Sequence, residues 1–272
     1  MQSYPVLSVQ DISCVGQCSL TVALPVLSAL GHECAILPTS LLSSHTAFSH
    51  TTLCNLEQEI PSIFDAWRAE GIRFRGIYLG YIGSVPAIKV LHRIFSEFLI
   101  EGAPIILDPV LGDNGELYRH FDKSYVDAIR ELLPYADVIL PNLTEACLLA
   151  DLPFCPSPDA NTLALLHSSL QGLGARSSVI TGIHTSSERI AISVNDGKGD
   201  MDYETPFIKR PSHGAGDVFA SVVAGRIFAG GELADAAKEA ADFTYEALCQ
   251  TPKEHWYGLA FEPLLPKLIT KK

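Results

Sequence analysis

The sequence predicts an α/β fold: a mostly parallel central sheet with helices on both faces. Three observations carry that prediction. Short apolar runs alternate with longer amphipathic segments, the pattern of strands joined by crossover helices. The strongest run, PIILDPV at residues 104–110, is apolar without a break until Asp108, as expected of a strand covered on both faces. Polar clusters at residues 11–13, 108–114, 142–145, 181–187 and 212–217 each follow such a run. Open parallel sheets bind ligands beyond the carboxyl ends of their strands, so the clusters fall where a site belongs.

The elements follow in order. Residues 6–9 read as a buried strand entering a loop. Ser19 is placed to cap a helix over 20–30, which Gly31 ends. Residues 34–37 form the second strand. Residues 38–55 are polar, without a clear period, and read as a long loop of the kind that often serves function. A helix over 57–70 stops at Gly71, and a strand covers 76–81. Gly83 and Ser84 open a helix running to about residue 100. After the 104–110 strand, residues 112–115 (GDNG) make a tight turn. A helix covers 123–133, a short strand 138–140, and a further helix starts behind residues 141–145 (PNLTE). Helix 161–172 and strand 178–181 come next. Alternating runs at 189–195 and 201–209 flank DGKG, a hairpin that adds antiparallel strands at one edge. Helices at 218–228 and 232–248 and a short helix at 261–269 close the chain. No linker, low-complexity tract or repeat interrupts it, so residues 1–272 are expected to form a single domain.

Composition narrows the function. Of 272 residues, 47% are hydrophobic and only 18% charged, which suits a globular protein with a buried core. The net charge of −12 argues against nucleic acid as a partner, since phosphate backbones recruit basic surfaces. No signal peptide and no membrane span is expected: no apolar stretch reaches ~18–20 residues. The seven cysteines are odd in number and scattered, which suits reduced thiols and a cytoplasmic protein. Cys14 and Cys18 are the only close pair, without the second pair that a zinc site needs.

The stretch around which the chain is organised is SHGAGDVF at residues 212–219. It places Gly214, Ala215 and Gly216 at the mouth of a helix, with Asp217 on its first turn. A helix N-terminus carries unpaired N–H groups and partial positive charge, and glycines allow a ligand close approach. The stretch reads equally as an anion site or as a turn with a favourable first-turn charge. As an anion site it suits a transferring phosphoryl group, with Asp217 accepting the proton of the attacking hydroxyl. Asn142 and Glu145, three apart at another helix start, either hold the water shell of Mg²⁺ or cap the helix. Asp108, at the end of a buried strand, must be paired, coordinated or facing a cavity. Asp113 is also accounted for as a turn former. The chain lacks the P-loop pattern, a Gly-x-Gly-x-x-Gly after the first strand, and a Gly-x-Ser-x-Gly elbow. Those absences argue against P-loop nucleotide binders, dinucleotide enzymes and serine hydrolases.

Taken together, GAGD at 214–217 and PNLTE at 141–145 resemble the ribokinase-like superfamily. DPVLGDNGELY at 108–118, SHT at 44–46 and GYIGS at 80–84 resemble its pyridoxal (pyridoxamine) kinase branch. The motifs run in order from about residue 6 to 228. The resemblance implies a ribokinase-like three-layer sandwich and ATP-dependent phosphorylation of the 5′-hydroxymethyl group of a B6 vitamer. It makes Asp217 the catalytic base and the N–H groups of Gly214, Ala215 and Gly216 the anion hole. It puts Glu145, Asn142 and Asp108 near Mg²⁺, with K⁺ as a further candidate ion. It puts Asp113, Tyr118, Thr144 and Thr181 near the nucleotide, and Thr46 and Tyr81 facing the pyridine ring. A homodimer is implied as well.

Two departures from the branch stand out. Asp11 occupies the place of a serine in well-known pyridoxal kinases, with Ser13 close by to take that role. An acid there could pair with the ring nitrogen, the 3-hydroxyl or a substrate amine. The loop at 14–19 also differs from the Gly-His-Ala-Gly form of the branch. Hydroxymethylpyrimidine kinases share the fold but resemble this chain less at residue 217, where they carry cysteine. A non-catalytic vitamer- or nucleotide-binding protein is the alternative of another class.

Overall fold

In chain order the elements are β1 (Val6–Ser13), α1 (Leu20–Ala29), β2 (Cys34–Leu42), β3 (Leu53–Asn55), α2 (Ile60–Ala69), β4 (Ile77–Leu79) and α3 (Val85–Glu97). Next come β5 (Ile105–Leu107), β6 (Gly112–Asp113), β7 (Glu116–Leu117), α4 (Lys123–Arg130), β8 (Val138–Ile139), α5 (Leu143–Ala150) and α6 (Ala160–Gly172). The remainder are β9 (Ser177–His184), β10 (Arg189–Asn195), β11 (Asp200–Pro206), α7 (Ala215–Phe228), α8 (Leu233–Gln250) and α9 (Leu265–Leu268). The computed structural model describes residues 4–197, 199–210 and 213–269. Ser212 of the glycine-rich stretch and Lys198 of the predicted hairpin turn lie outside the described residues. No helix among the described residues is long and apolar enough to cross a membrane.

Two compact units divide the chain. The first holds Met1–Pro104 and Ile208–Lys272. Its β1 pairs in parallel with both β2 and β4, and β3 adds to β2 antiparallel. Every residue of β1 but Ile12 is buried, as the central strand of a covered sheet requires. Helix α7 is buried nearly all round, which fits its apolar sequence without a polar face. Gly225 lets it lie close to α1: an added Cβ would stand 2.3 Å from Leu30 Cδ1. Beside α2 and α3, Phe64, Trp67, Phe74 and Phe98 form a ring cluster with centroids 5.1–5.8 Å apart.

The second unit, Ile105–Phe207, has the order β5-β8-β9-β10-β11. Pairs β5–β8 and β8–β9 are parallel; β9–β10 and β10–β11 are antiparallel, so the predicted hairpin stands at that edge. The small hairpin β6–β7 occupies the predicted 112–115 turn.

The structure corrects three local readings. Residues 38–55 are not one loop: β2 runs on to Leu42 against β1, and β3 returns beside it. Ser19 stands at the cap position of α1 at φ 50°, but its side chain makes no capping bond. Thr21 Oγ1 accepts the Cys18 N–H at 3.2 Å instead. Helix α7 begins at Ala215 rather than residue 218, and Asp217 lies in its first turn as the sequence predicts.

Candidate active site

In the first unit, α7 opens on a residue that only glycine suits. Gly214 has φ 79° and ψ 1°, and a Cβ there would stand 2.0 Å from the Gln17 carbonyl oxygen. The left-handed conformation and the close approach of the 14–19 loop both exclude a side chain. Gly214 therefore offers no side-chain cap to the first-turn N–H groups. Gly216 is exposed, with open space where a Cβ would point.

Asp217 is half-buried, with its carboxyl in largely protein surroundings. Burial pushes its pKa up to about 7, the Asp11 charge adds to the rise, and the Ser19 N–H opposes it. Asp11 is buried and is likewise raised, first by desolvation, against hydroxyl bonds from Ser19 and Ser13. Ser13 Oγ donates to Asp11 Oδ2 at 3.2 Å. Tyr81 is raised by burial and then by the Asp11 charge. The fold thus gathers Asp11, Ser13, Tyr81 and Asp217 from three separate stretches. Thr46 lies exposed in the segment after β2. Its neighbour His45 is buried, with Nε2 3.0 Å from the Tyr257 carbonyl and its ring 5.0 Å from that of His213.

Two members of this group escape sequence reasoning. The Cys18 thiol is held up at about 12 by burial, and then by the charges of Asp217 and Asp11. It is thus a neutral thiol rather than a nucleophile. Ser19 opposes the rise of both carboxylates, through its hydroxyl at Asp11 and its N–H at Asp217. Its backbone stands at φ 50°, a conformation the sequence cannot signal for a serine.

In the second unit, α5 opens with a capping box. Asn142 Oδ1 accepts the Glu145 N–H at 3.0 Å, and Glu145 Oε2 accepts the Asn142 N–H at 2.9 Å. Glu145 Oε1 also accepts the Leu111 N–H at 2.8 Å and the Gly112 N–H at 3.5 Å. Asn142 Nδ2 donates to the Gly112 carbonyl at 2.8 Å, and Thr144 Oγ1 accepts the Gly115 N–H at 2.9 Å. Thr181 bridges to Asn142 in the sheet, its N–H on the Pro141 carbonyl at 2.9 Å. Glu145 is fully enclosed; burial raises its pKa to about 7, three backbone N–H bonds oppose that, and Asp113 adds to it. Asp113 and Tyr118 stand exposed on the β6–β7 hairpin. Asp108 is buried at the end of β5.

Both carboxylate oxygens of Glu145 and both ends of the Asn142 amide thus have backbone partners. Among the described residues, no three His, Cys, Asp or Glu side chains come together as a metal site.

Residues 24–258 match the model of the phosphomethylpyrimidine kinase family. The chain belongs to that family. Its relatives put it in the pyridoxal kinase branch of the ribokinase-like superfamily. A crystal structure of a Bacteroides thetaiotaomicron protein, classed with the phosphomethylpyrimidine kinases and solved with pyridoxal, is 31% identical. It superposes with a TM-score of 0.94, covering 100% of this chain and 97% of that one. Pyridoxal kinase from Lactobacillus plantarum is 33% identical, with a TM-score of 0.89 over 98% of this chain and 97% of that one. A pyridoxal kinase homologue of Schizosaccharomyces pombe is 30% identical over 53% of this chain; the match spans about half (48%) of that protein's length.

Proposed function

We propose that this chain, as one kinase domain of residues 1–272, phosphorylates the 5′-hydroxymethyl group of a B6 vitamer with ATP. The observation that carries the reading is the mouth of α7. There an uncapped helix start and a carboxylate raised to about 7 stand together, beside the ring-facing candidates Asp11 and Tyr81. A base with a pKa near the working pH is well matched to taking a hydroxyl proton. In the reaction the 5′-oxygen bonds to the γ-phosphorus and the bond to the ADP oxygen breaks. The hydroxyl proton passes to Asp217. The N–H groups of Gly214, Ala215 and Gly216 stabilise the charge of the moving phosphoryl group, each such donor being worth on the order of 3–4 kcal/mol. Asp113, Tyr118, Thr144 and Thr181 are the candidates for the nucleotide side. Mg²⁺ would arrive with the nucleotide, held by phosphate oxygens and water, a common mode for that ion. The protein is proposed to work in the cytoplasm as a homodimer.

A second reading, phosphorylation of a hydroxymethylpyrimidine, is favoured by the description of the matching family. Turnover of ATP, coupled to ADP detection, separates the two when pyridoxal, pyridoxine, pyridoxamine and hydroxymethylpyrimidine are compared. Turnover with a B6 vitamer is expected. Turnover with hydroxymethylpyrimidine alone would select the second reading, and binding without turnover would leave a vitamer-binding protein.

A further inference from the structure

The corner between β5 and β6 is strained. Val110, a β-branched residue, sits at φ 44°, and Asn114 and Gly115 also have positive φ, 53° and 83°. Such values cost of order 1–3 kcal/mol for a non-glycine residue and persist only where the surroundings over-determine them. The Val110 conformation turns two successive N–H groups, those of Leu111 and Gly112, onto one oxygen of Glu145. Gly112 is held from its other side as well: a Cβ there would stand 2.1 Å from the Glu116 carbonyl. Its carbonyl takes the Asn142 amide and, three residues on, the Gly115 N–H meets Thr144. Three side chains from one helix start thus hold the base and the turn of the hairpin that carries Asp113 and leads to Tyr118.

We propose that Glu145 is a positioning residue: it acts through the β6–β7 hairpin, with Asn142 and Thr144 as helpers, and does not ligate the metal. The proposal rests on the kinase reading for its kinetic consequences, but its structural content stands apart from it. A charged acceptor that binds several N–H groups is stronger than a neutral one. Removing it leaves buried donors unpaired, which is the costly kind of loss. Glutamine keeps an oxygen for one side but turns an NH₂ toward a backbone N–H on the other.

The test pairs E145Q and E145A with T144V, which removes only the Gly115 bond. Amide hydrogen exchange, resolved by residue, gives a readout that needs no turnover. E145A should speed exchange at Leu111, Gly112 and Asn142 by at least about tenfold, while T144V should do so at Gly115 alone. In kinetics, E145Q should raise KM for ATP by about tenfold, with the Mg²⁺ concentration for half-maximal rate within about twofold of wild type. Unchanged exchange at Leu111 and Gly112 in E145Q and E145A overturns the proposal. So does a tenfold rise in the Mg²⁺ requirement that excess Mg²⁺ rescues. Should E145A fail to fold, E145Q and T144V carry the same decision. If wild type turns over no substrate, the kinase reading fails while the exchange data still decide the brace.

Discussion

Helices α5 and α7 both begin with a carboxylate in the first turn, and in both burial lifts that carboxylate to about 7. The resemblance ends there. At α5 a full capping box closes the start, and the Glu145 oxygens accept N–H groups from both its own helix and the β6–β7 hairpin. At α7 the cap is a glycine without a side chain, and the carboxylate faces a second acid rather than a set of donors. A raised pKa therefore does not distinguish a working acid from a structural one. The number of donors already on the oxygens does. A carboxylate held by several donors braces backbone; one with few donors, at a helix start without a side-chain cap, can take a proton from a ligand.

The comparison breaks most readily at Asp217. The D217N variant should lose about 10³-fold in kcat, within the 10²–10⁴ that a positioned base supplies, while keeping its fold. Coupled turnover with a melting curve measures both. A variant that keeps more than a tenth of the rate would put Asp217 in the same structural class as Glu145.

G214A comes next. It meets two separate penalties, a side chain at φ 79° and a Cβ 2.0 Å from the Gln17 carbonyl. A cost of about 1–3 kcal/mol is expected, readable as a lowered urea midpoint, with turnover falling as the mouth distorts. A melting temperature equal to wild type would mean that the 14–19 loop gives way freely and does not brace the mouth.

The smallest effect is in pH. Asp217 titrates near 3.8 when unfolded and at about 7 when folded. Between those values the folded state holds a proton that the unfolded state releases. Stability from this group is thus present below about 4 and is lost as pH rises to about 7. The D217N variant, which cannot ionise, should gain on wild type as pH rises, by on the order of 1 kcal/mol between pH 5 and 8 in urea titrations. In wild type, kcat/KM should climb over the upper part of the same range as the base loses its proton. An advantage that shrinks with pH would reverse the assigned sign.

Much of this is legible along the chain. Alternating apolar runs give the strands and helices, DGKG gives the hairpin, and Ser84 does cap α3, accepting the Ala87 N–H at 3.2 Å. Asn142 and Glu145 stand at the spacing of a capping box, and the box forms. The failures come where partners lie far off in sequence. Residues 38–42 look polar and aperiodic because their strand character comes from pairing along β1, with Gln10 opposite Pro38 and Ile12 opposite Leu41. Cys18 reads as half of an incomplete zinc pair, and Ser19 as a routine cap; only the approach of Asp11 and Asp217 gives them other roles.

By itself the sequence determined what short-range chemistry can write: the period of each element, the glycines at helix mouths, and the acids on first turns. Tertiary structure decided which acid is spent and which is available. That depends on groups delivered from elsewhere, the Leu111 and Gly112 N–H groups to Glu145 and Asp11 and Ser19 to Asp217. A carboxylate's pKa and its remaining capacity to accept a proton are properties of its surroundings, which no single stretch of chain contains.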